Sequence, residues 1–219
     1  MKKGLVDVDW LCISKYSNEE ISYFLFLEGK TMEAICKIRN LDNAIVQKHI
    51  IDGKIKYRFL VHSNDTDELF KSIAKAGKED KIYFLNSLEE DNKNKLTQLI
   101  KTNYVEMHPK DKEVAVWILG ELKEKSCLNI LIKASVHKFL NVRRMAVSAM
   151  GKMGDARAEG ALLRALEDEN PQVISYAIKS LGKIKSEKAI TKIKYIYDNT
   201  EKKYIIDAAE RFLLLMEQI

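Results

Sequence analysis

Proline, glycine and cysteine are all scarce in this 219-residue sequence. Only 2 prolines and 9 glycines are present, which argues against an all-β chain rich in tight turns. The 3 cysteines, Cys12, Cys36 and Cys127, form no C-x-x-C pair. A disulfide framework and a zinc ribbon are therefore excluded, and we expect reduced thiols.

Long apolar runs are missing as well. No stretch approaches the length of a membrane span, and the longest, such as residues 21–27, contain or adjoin polar residues. Asp7 and Asp9 interrupt the segment in which the apolar core of a secretory signal would follow the N-terminal lysines. We therefore expect a cytoplasmic protein without a membrane partner.

The short motifs that mark common enzyme sites are absent. There is no glycine-rich phosphate loop, no G-x-S-x-G and no H-E-x-x-H. None of the 4 histidines lies at ligand spacing from another histidine or from a cysteine, and His49 falls on the apolar face of a predicted helix. We therefore predict a non-enzymatic protein with no catalytic residue, no metal, no cofactor and no small-molecule substrate.

The composition that remains is that of a globular protein with a core. Hydrophobic residues make up 46% and charged residues 32%, with a formal net charge of +5. The charge is uneven along the chain. Basic residues outnumber acidic ones in 29–58 and in 109–219, whereas acidic residues are in slight excess in 63–108. Basic flanks therefore enclose a mildly acidic middle.

The second half of the sequence repeats itself. Three segments align without gaps and end on Gly120, Gly151 and Gly182, each 31 residues after the last. Alanine shares one position in all three segments, and larger aliphatic residues recur at helical spacing around it. The pattern in each unit therefore predicts a pair of helices, in which the small residues let neighbouring helices approach closely.

The boundaries of these helices are predicted from capping residues. Asn170 followed by Pro171 marks a helix start, and we place Asn141 and Asp111 at the equivalent starts of the preceding units. An apolar helix over 203–216 is expected to end the array as a terminal cap.

At these residues the chain resembles the HEAT repeat, in particular the short form found in phycocyanobilin lyase subunits. The segment 141–155 matches best, and the resemblance covers 109–219. It implies an α-solenoid, whereas its functional content is weak because lyases, repair enzymes and scaffolds all use this repeat.

The first half predicts three helices in close succession. Ser17 to Glu20 forms a capping box, Thr31 can cap a second, short helix, and Asp42 is expected to cap a third. Asn40 suits the left-handed conformation of a tight turn between the second and third helices. We expect the third helix to bury Ile45, Val46, His49 and Ile50. This order is typical of a helix-turn-helix.

Over 17–58 the chain resembles the helix-turn-helix near the C-terminus of bacterial helicases of the RecQ type, and more loosely region 4 of sigma factors. The matching residues run from Leu27 to Thr31, from Arg39 to Leu41, and include Ile35, Val46 and His49 to Ile50. The predicted recognition helix is poor in arginine. Together the two halves resemble HEAT-repeat proteins of bacteria.

The fold class predicted for the whole chain is all-α, with no sheet and a frayed N-terminal segment around Asp7, Asp9 and Trp10. The α-solenoid of HEAT-like helix pairs is preceded by a small helical region. The predicted domains are a helix-turn-helix-like region over 1–62, connecting helices over 63–108 and HEAT-like repeats over 109–219.

Two surfaces are candidates for binding. For nucleic acid, basic side chains would contact phosphates and the two amides would contact base edges. The residues of this first surface are Asn43, Gln47, Lys48, Lys54, Lys56 and Arg58. A second surface, on the concave side of the repeats, would bind an acidic partner or a nucleic-acid backbone. Its residues are Lys133, His137, Arg143, Arg144, Arg164 and Tyr195. Ordinary solvated charge is the simpler interpretation of both sets.

Three functions compete at this point. The first is a non-enzymatic scaffold that binds a protein partner, with DNA as a second partner of the helix-turn-helix. The second is a HEAT-like alkylpurine DNA glycosylase, which needs an acid and a tryptophan in a basic cleft, although Trp117 is the only tryptophan in the repeats. The third is a bilin-lyase-like subunit. An acid on the floor of a basic wall would favour the glycosylase, and an apolar patch would favour protein binding.

Overall fold

The computed structural model describes residues 1–217 and divides the chain into two compact units, 1–92 and 93–219. Helices make up most of both units. Those of the first unit are α1 (Asn18–Leu27), α2 (Met32–Arg39), α3 (Asn43–Val61), α4 (Thr66–Lys75) and α5 (Lys78–Ser87). Those that follow are α6 (Glu90–Asn103), α7 (Pro109–Glu121), α8 (Leu128–Ala134), α9 (Leu140–Met153), α10 (Glu159–Ala165), α11 (Pro171–Lys183), α12 (Ile190–Asn199) and α13 (Lys203–Met216). The all-α fold class is confirmed.

One small hairpin departs from the prediction that the chain has no sheet. Strands β1 (Lys2–Lys3) and β2 (Val6–Asp7) pair antiparallel, and Gly4 turns the chain between them with a φ of +59°. Val6 and Val8 are buried, and a 3-10 helix over Trp10–Lys15 follows. The prediction of a frayed segment is wrong because buried valines and paired backbone groups hold it in place.

The first three helices form a compact three-helix bundle as predicted. The side chain of Ser17 accepts a hydrogen bond from the backbone of Glu20 in a complete capping box, and Thr31 caps α2. Asn40 has a φ of +51°, which lets the chain reverse within three residues before α3. Asp42 holds the N-cap position of α3 without a side-chain capping hydrogen bond.

The core of this bundle comes from one face of α3 and from α2. Val46, His49 and Ile50 are buried as predicted, and Ile35 packs with them. The ring of His49 shares a buried hydrogen bond with the Ser22 hydroxyl at 3.1 Å, so it is a packed core residue. The prediction for Ile45 is wrong. Its side chain is 42% exposed because it lies beside the core-facing stripe of α3.

Helix pairs repeat along the second unit. The first helix of each pair packs against the first helix of the next, in the order α7, α9, α11 and α13, and α8, α10 and α12 pack beside them. The close approach depends on glycine. A Cβ added to Gly120 would lie 2.6 Å from Cβ of Ala149, and one added to Gly151 would lie 2.6 Å from Cβ of Ser180. No side chain fits at either glycine without a shift of the neighbouring helix.

The starts of the first helices correct the sequence prediction. Asn170 caps α11 and Pro171 follows it, as predicted. The equivalent caps are His108 and Phe139, whose side chains make no capping hydrogen bond. Asn141 and Asp111 lie inside the first turns of their helices. The start of each helix follows the 31-residue period of the repeat, whatever residue type occupies the cap.

In each pair, one residue with a positive φ reverses the direction of the chain between the two helices. The reversing residues are Lys123, Gly154 and Lys185, all with φ between +52° and +65°. A short 3-10 turn follows, and in two units a carboxylate caps it. Asp155 accepts from the backbone N–H of Arg157 at 3.0 Å, and Glu124 accepts from that of Ser126 at the same distance.

Candidate functional site

The outward side of α3 holds four of the six residues predicted to contact nucleic acid. Asn43, Gln47, Lys48 and Lys54 are exposed and are called here the polar face of α3. Among the described residues, the side chains of the first three have no hydrogen-bonding or ionic partner. The Lys54 ammonium lies 4.9 Å from the centroid of the Phe26 ring. These side chains are therefore available to a ligand.

The other two predicted residues are held by carboxylates of the chain itself. Lys56 Nζ donates to Glu20 Oε1 at 2.6 Å, and the Tyr57 hydroxyl donates to the same oxygen at 2.6 Å. Burial alone would raise the pKa of Glu20, but these hydrogen bonds outweigh it and lower that pKa. Arg58 Nη1 lies 3.4 Å from Asp80 Oδ2. Both basic groups thus neutralise acids of the first unit.

Apolar side chains also reach the surface of α3. Ile51 and Ile55 are 50% and 52% exposed, and their four-residue spacing puts both on the side of Lys48. The two isoleucines were not predicted as surface residues, although their helical spacing away from the buried stripe indicates it. The exposed side of α3 is therefore mixed, with amides and a lysine first and isoleucines farther along.

The residues predicted on the second helices of the repeats occupy one equivalent position. Lys133 lies on α8, Arg164 on α10 and Tyr195 on α12, each 31 residues after the last. All three are exposed. They are called here the second-helix row. Their side chains form no hydrogen bond or ion pair with the described part of the chain.

Arg143 is committed to the interior of the repeat unit. Its guanidinium donates to both carboxylate oxygens of Asp168, with Nε–Oδ2 at 2.7 Å and Nη2–Oδ1 at 3.0 Å, and it also reaches Glu169. It further donates to the His137 carbonyl at 3.1 Å. Only 8% of the residue is exposed. Arg143 therefore links the middle repeat to the loop after α10 and is not free to contact a partner.

His137 lies in the loop between α8 and α9 and does not belong to the second-helix row. Its ring stacks on that of Phe139, with centroids 5.5 Å apart. Partial burial and the neighbouring charges of Lys112, Lys138 and Arg143 lower the pKa of His137. The neutral imidazole is thus favoured, which weakens any role in anion binding.

Arg144 points to a different surface from its neighbour. Its guanidinium lies 5.6 Å from the centroid of the Tyr176 ring on α11, and the Lys179 ammonium lies 5.5 Å from the same centroid. The Arg144 Nε atom is buried and has no hydrogen-bond acceptor within residues 1–217. The ring therefore holds two cations close together on the first helices.

These residues line two adjoining depressions on α9, α11 and α13, of about 240 and 370 Å3. The two together are called here the basic groove. Its charged residues and tyrosines are Arg144, Tyr176, Lys179, Lys183, Tyr204 and Arg211. No aspartate or glutamate lines the described walls of either depression, and none of the four cations forms an ion pair with the described chain.

Most residues of this groove were not predicted from the sequence. Only Arg144 was among the predicted residues. Tyr176, Lys179 and Lys183 carry a signal, because spacings of three and four residues put them on one face of α11. Arg211 carries none, since it joins them only when α13 packs against α11.

The remaining chemistry of the described residues is sparse. Across 1–217, no group of three or more histidine, cysteine, aspartate or glutamate side chains is placed to hold a metal ion. None of the described helices combines the length and the apolar character that crossing a membrane requires. Trp117 is half-buried on α7.

Comparison with known proteins identifies both units. A family model for HEAT repeats matches residues 94–159 and 137–213, which together cover more than half of the chain. A model for a helix-turn-helix domain matches residues 18–107. No curated protein matches the chain. Both kinds of fold fit a scaffold or binding role.

Proposed function

Since the chain belongs to the HEAT-repeat proteins and carries a helix-turn-helix domain ahead of its repeats, we propose that it is a non-enzymatic binding protein. In this proposal the helix-turn-helix contacts duplex DNA through α3. The repeats hold a protein partner.

The observation that carries DNA binding is the free polar face at the start of α3. In helix-turn-helix proteins the N-terminal residues of the second helix reach base edges in the major groove. Asn43 and Gln47 supply amides of the type that pair with adenine, and Lys48 supplies a cation for a phosphate. Lys54 adds a second cation two turns farther along.

The electrostatics favour weak binding. Of the predicted basic residues, Lys56 and Arg58 lie against Glu20 and Asp80, so Lys48 and Lys54 carry most of the attraction to phosphate. Few phosphate contacts imply a dissociation constant in the range of non-specific DNA binding, about 10⁻⁴–10⁻⁶ M at physiological salt.

The basic groove supports partner binding over a glycosylase. A glycosylase of this kind needs a carboxylate in a basic cleft, and no acid lines the described walls of the groove. For a bilin lyase, the match to the repeat model concerns fold and leaves the chemistry unsupported. An acid-free set of cations is instead suited to hold a partner of opposite charge.

The test of DNA binding is a fluorescence-anisotropy titration of the full chain with labelled duplex DNA at low salt. Replacing Lys48 and Lys54 with Ala should weaken binding to every sequence alike and lower the salt slope by about one for each lost phosphate contact. Replacing Asn43 and Gln47 with Ala should instead relax sequence preference.

The matched control is the double replacement of Lys75 and Lys78 with Ala, which removes two exposed charges from α4 and α5 of the same unit and leaves the polar face of α3 unchanged. It should leave the affinity nearly unchanged. If the native chain does not bind duplex DNA, or if the control weakens binding as much as the α3 variant, the DNA-binding role of α3 is wrong.

A further inference from the structure

We propose that the basic groove binds an acidic peptide segment of a partner protein, with an aliphatic side chain of the peptide on the groove floor and its carboxylates against the rim. This inference deepens the proposed function of the repeats, on which it rests. It names the face of the repeats that is used and the chemistry of the partner.

The groove carries positive charge that no acid of the described chain balances. Arg144, Lys179, Lys183 and Arg211 line one continuous surface, and no acid of the described chain pairs with any of them. Lys179 and Lys183 are four residues apart on α11, and like charges at this spacing destabilise a helix. Elsewhere in the unit, exposed lysines do pair across repeats, as Lys188 does with Glu159. The groove therefore carries an unbalanced positive charge that a carboxylate-rich ligand would balance.

The floor of the groove is apolar and open. Ile178, Phe212 and Leu215 line it below the cations. It is open because α13 approaches α11 less closely than the other first helices approach each other. A Cβ added to Gly182 would lie 3.5 Å from the Phe212 ring and 3.7 Å from the Leu215 methyl, in ordinary contact. An apolar floor below a cationic rim matches a peptide that presents both aliphatic and acidic side chains.

The hydrogen-bonding groups at the upper end of the groove suit carboxylates. The Arg144 guanidinium lines the groove and forms no hydrogen bond or ion pair with the described chain, so it can donate to a ligand carboxylate. Gln172 and the exposed Tyr204 flank it. These donors lie beside the two cations that Tyr176 holds.

The same ring argues against single-stranded nucleic acid as the occupant. Bases bind such surfaces by stacking on open aromatic faces. The Tyr176 ring already has Arg144 and Lys179 over it, and Phe212 is buried. The larger depression of the groove, about 370 Å3 with an apolar floor, is better filled by the side chains of a peptide.

The experiment uses the full chain and a short labelled peptide in which glutamates flank two leucines at helical spacing. Two control peptides replace the glutamates with glutamines or the leucines with serines. In fluorescence anisotropy, the native chain should bind the first peptide about tenfold or more tightly than either control.

Variants then locate the site. Lys179→Glu with Lys183→Glu should weaken peptide binding about tenfold or more, since two attractions become repulsions. Gly182→Leu should also weaken it, by filling the floor without any change of charge. The matched control is Lys133→Glu with Arg164→Glu, which makes the same charge change in the second-helix row and should leave the affinity nearly unchanged. Circular dichroism of each variant verifies that it is folded.

Three results would overturn the inference. Failure of the folded native chain to bind the acidic peptide rejects the groove as a peptide site. Equal binding by the groove variants, with loss in the second-helix-row variant, rejects the groove but supports protein binding by the repeats. A labelled single-stranded oligonucleotide that binds more tightly than the peptide, and that the groove variants release, identifies nucleic acid as the occupant. The titration of the α3 variants with duplex DNA measures DNA binding by the helix-turn-helix, and its result does not depend on any of these three outcomes.

Discussion

At the scale of single residues, Arg143 and Arg144 show how two identical neighbours acquire opposite roles. Arg143 makes a bidentate, nearly buried ion pair with Asp168, whereas Arg144 lies at the edge of the basic groove. We expect Arg143→Ala to lower the free energy of unfolding by about 3–5 kcal/mol, because it leaves the carboxylate of Asp168 buried without its partner. Urea denaturation followed by circular dichroism measures this loss.

Arg144→Ala serves as the control for that substitution. It removes the same side chain from the same turn of α9 but breaks no hydrogen bond to the described chain. The expected loss is about 1 kcal/mol or less. Similar losses for the two variants would show that the Arg143 ion pair contributes little to stability.

Asp155 makes the stability of the repeats dependent on acid pH. Hydrogen bonds from the side chain and backbone of Arg157 lower the pKa of Asp155 from 3.8 to about 2. Because the folded chain has the lower pKa, this stabilisation is complete above 3.8 and is lost as the pH falls toward about 2. We expect the urea midpoint to fall in this window, and Asp155→Asn to flatten the fall while keeping a capping oxygen.

The control for this prediction is Asp198→Asn, which changes an exposed carboxylate that accepts no hydrogen bond from the described chain. Its urea midpoint should follow the pH as that of the native chain does. If Asp155→Asn also tracks the native curve through the acid range, the Asp155 hydrogen bonds do not determine the acid response.

At the scale of helices, the glycines of the first helices are equivalent in sequence but not in packing. Gly151 lies against Ser180, whose hydroxyl also donates to the Val147 carbonyl at 2.9 Å. Gly151→Ala should therefore overpack the contact between α9 and α11 and cost about 1–3 kcal/mol. Gly182→Ala should instead stabilise the chain by about 0.5–1 kcal/mol, because the methyl fits and alanine loses less conformational entropy on folding than glycine.

Thermal unfolding of the two variants tests this difference in sign. The substitution is identical, and both glycines lie near the end of a first helix. Melting temperatures that shift in the same direction would mean that α11 and α13 pack as closely as α9 and α11.

Helix positions were largely predictable from sequence, because local chemistry determines them. Ser17 and Thr31 each cap a backbone N–H three residues on, Asn40 takes the left-handed conformation itself, and each was predicted correctly. Asn141 and Asp111 were misplaced because polar residues near a helix start resemble caps whether or not they occupy the cap. The hairpin at the N-terminus was missed because its strands are two residues long and show no periodicity.

At the scale of the whole molecule, the architecture was predictable and the candidate surfaces were predictable only in part. The 31-residue period fixes which residues are equivalent, so the second-helix row could be read from sequence. The basic groove could not, because Arg144, Lys179 and Arg211 lie on three helices that meet only after packing. Whether a charge is free also depends on neighbours distant in sequence, as the pairing of Lys56 with Glu20 shows.

The constant length of the repeats has a consequence for how such a chain can grow or shrink in evolution. Gly120 faces Ala149 as Gly151 faces Ser180, so each junction uses the same pair of positions. Loss of one whole period, such as 140–170, would bring Gly120 to face Ser180 and would restore a compatible junction. Loss of a length that is not a whole number of periods would rotate the following helices and turn their apolar faces outward. Duplication and excision in whole periods are thus the length changes that this architecture tolerates.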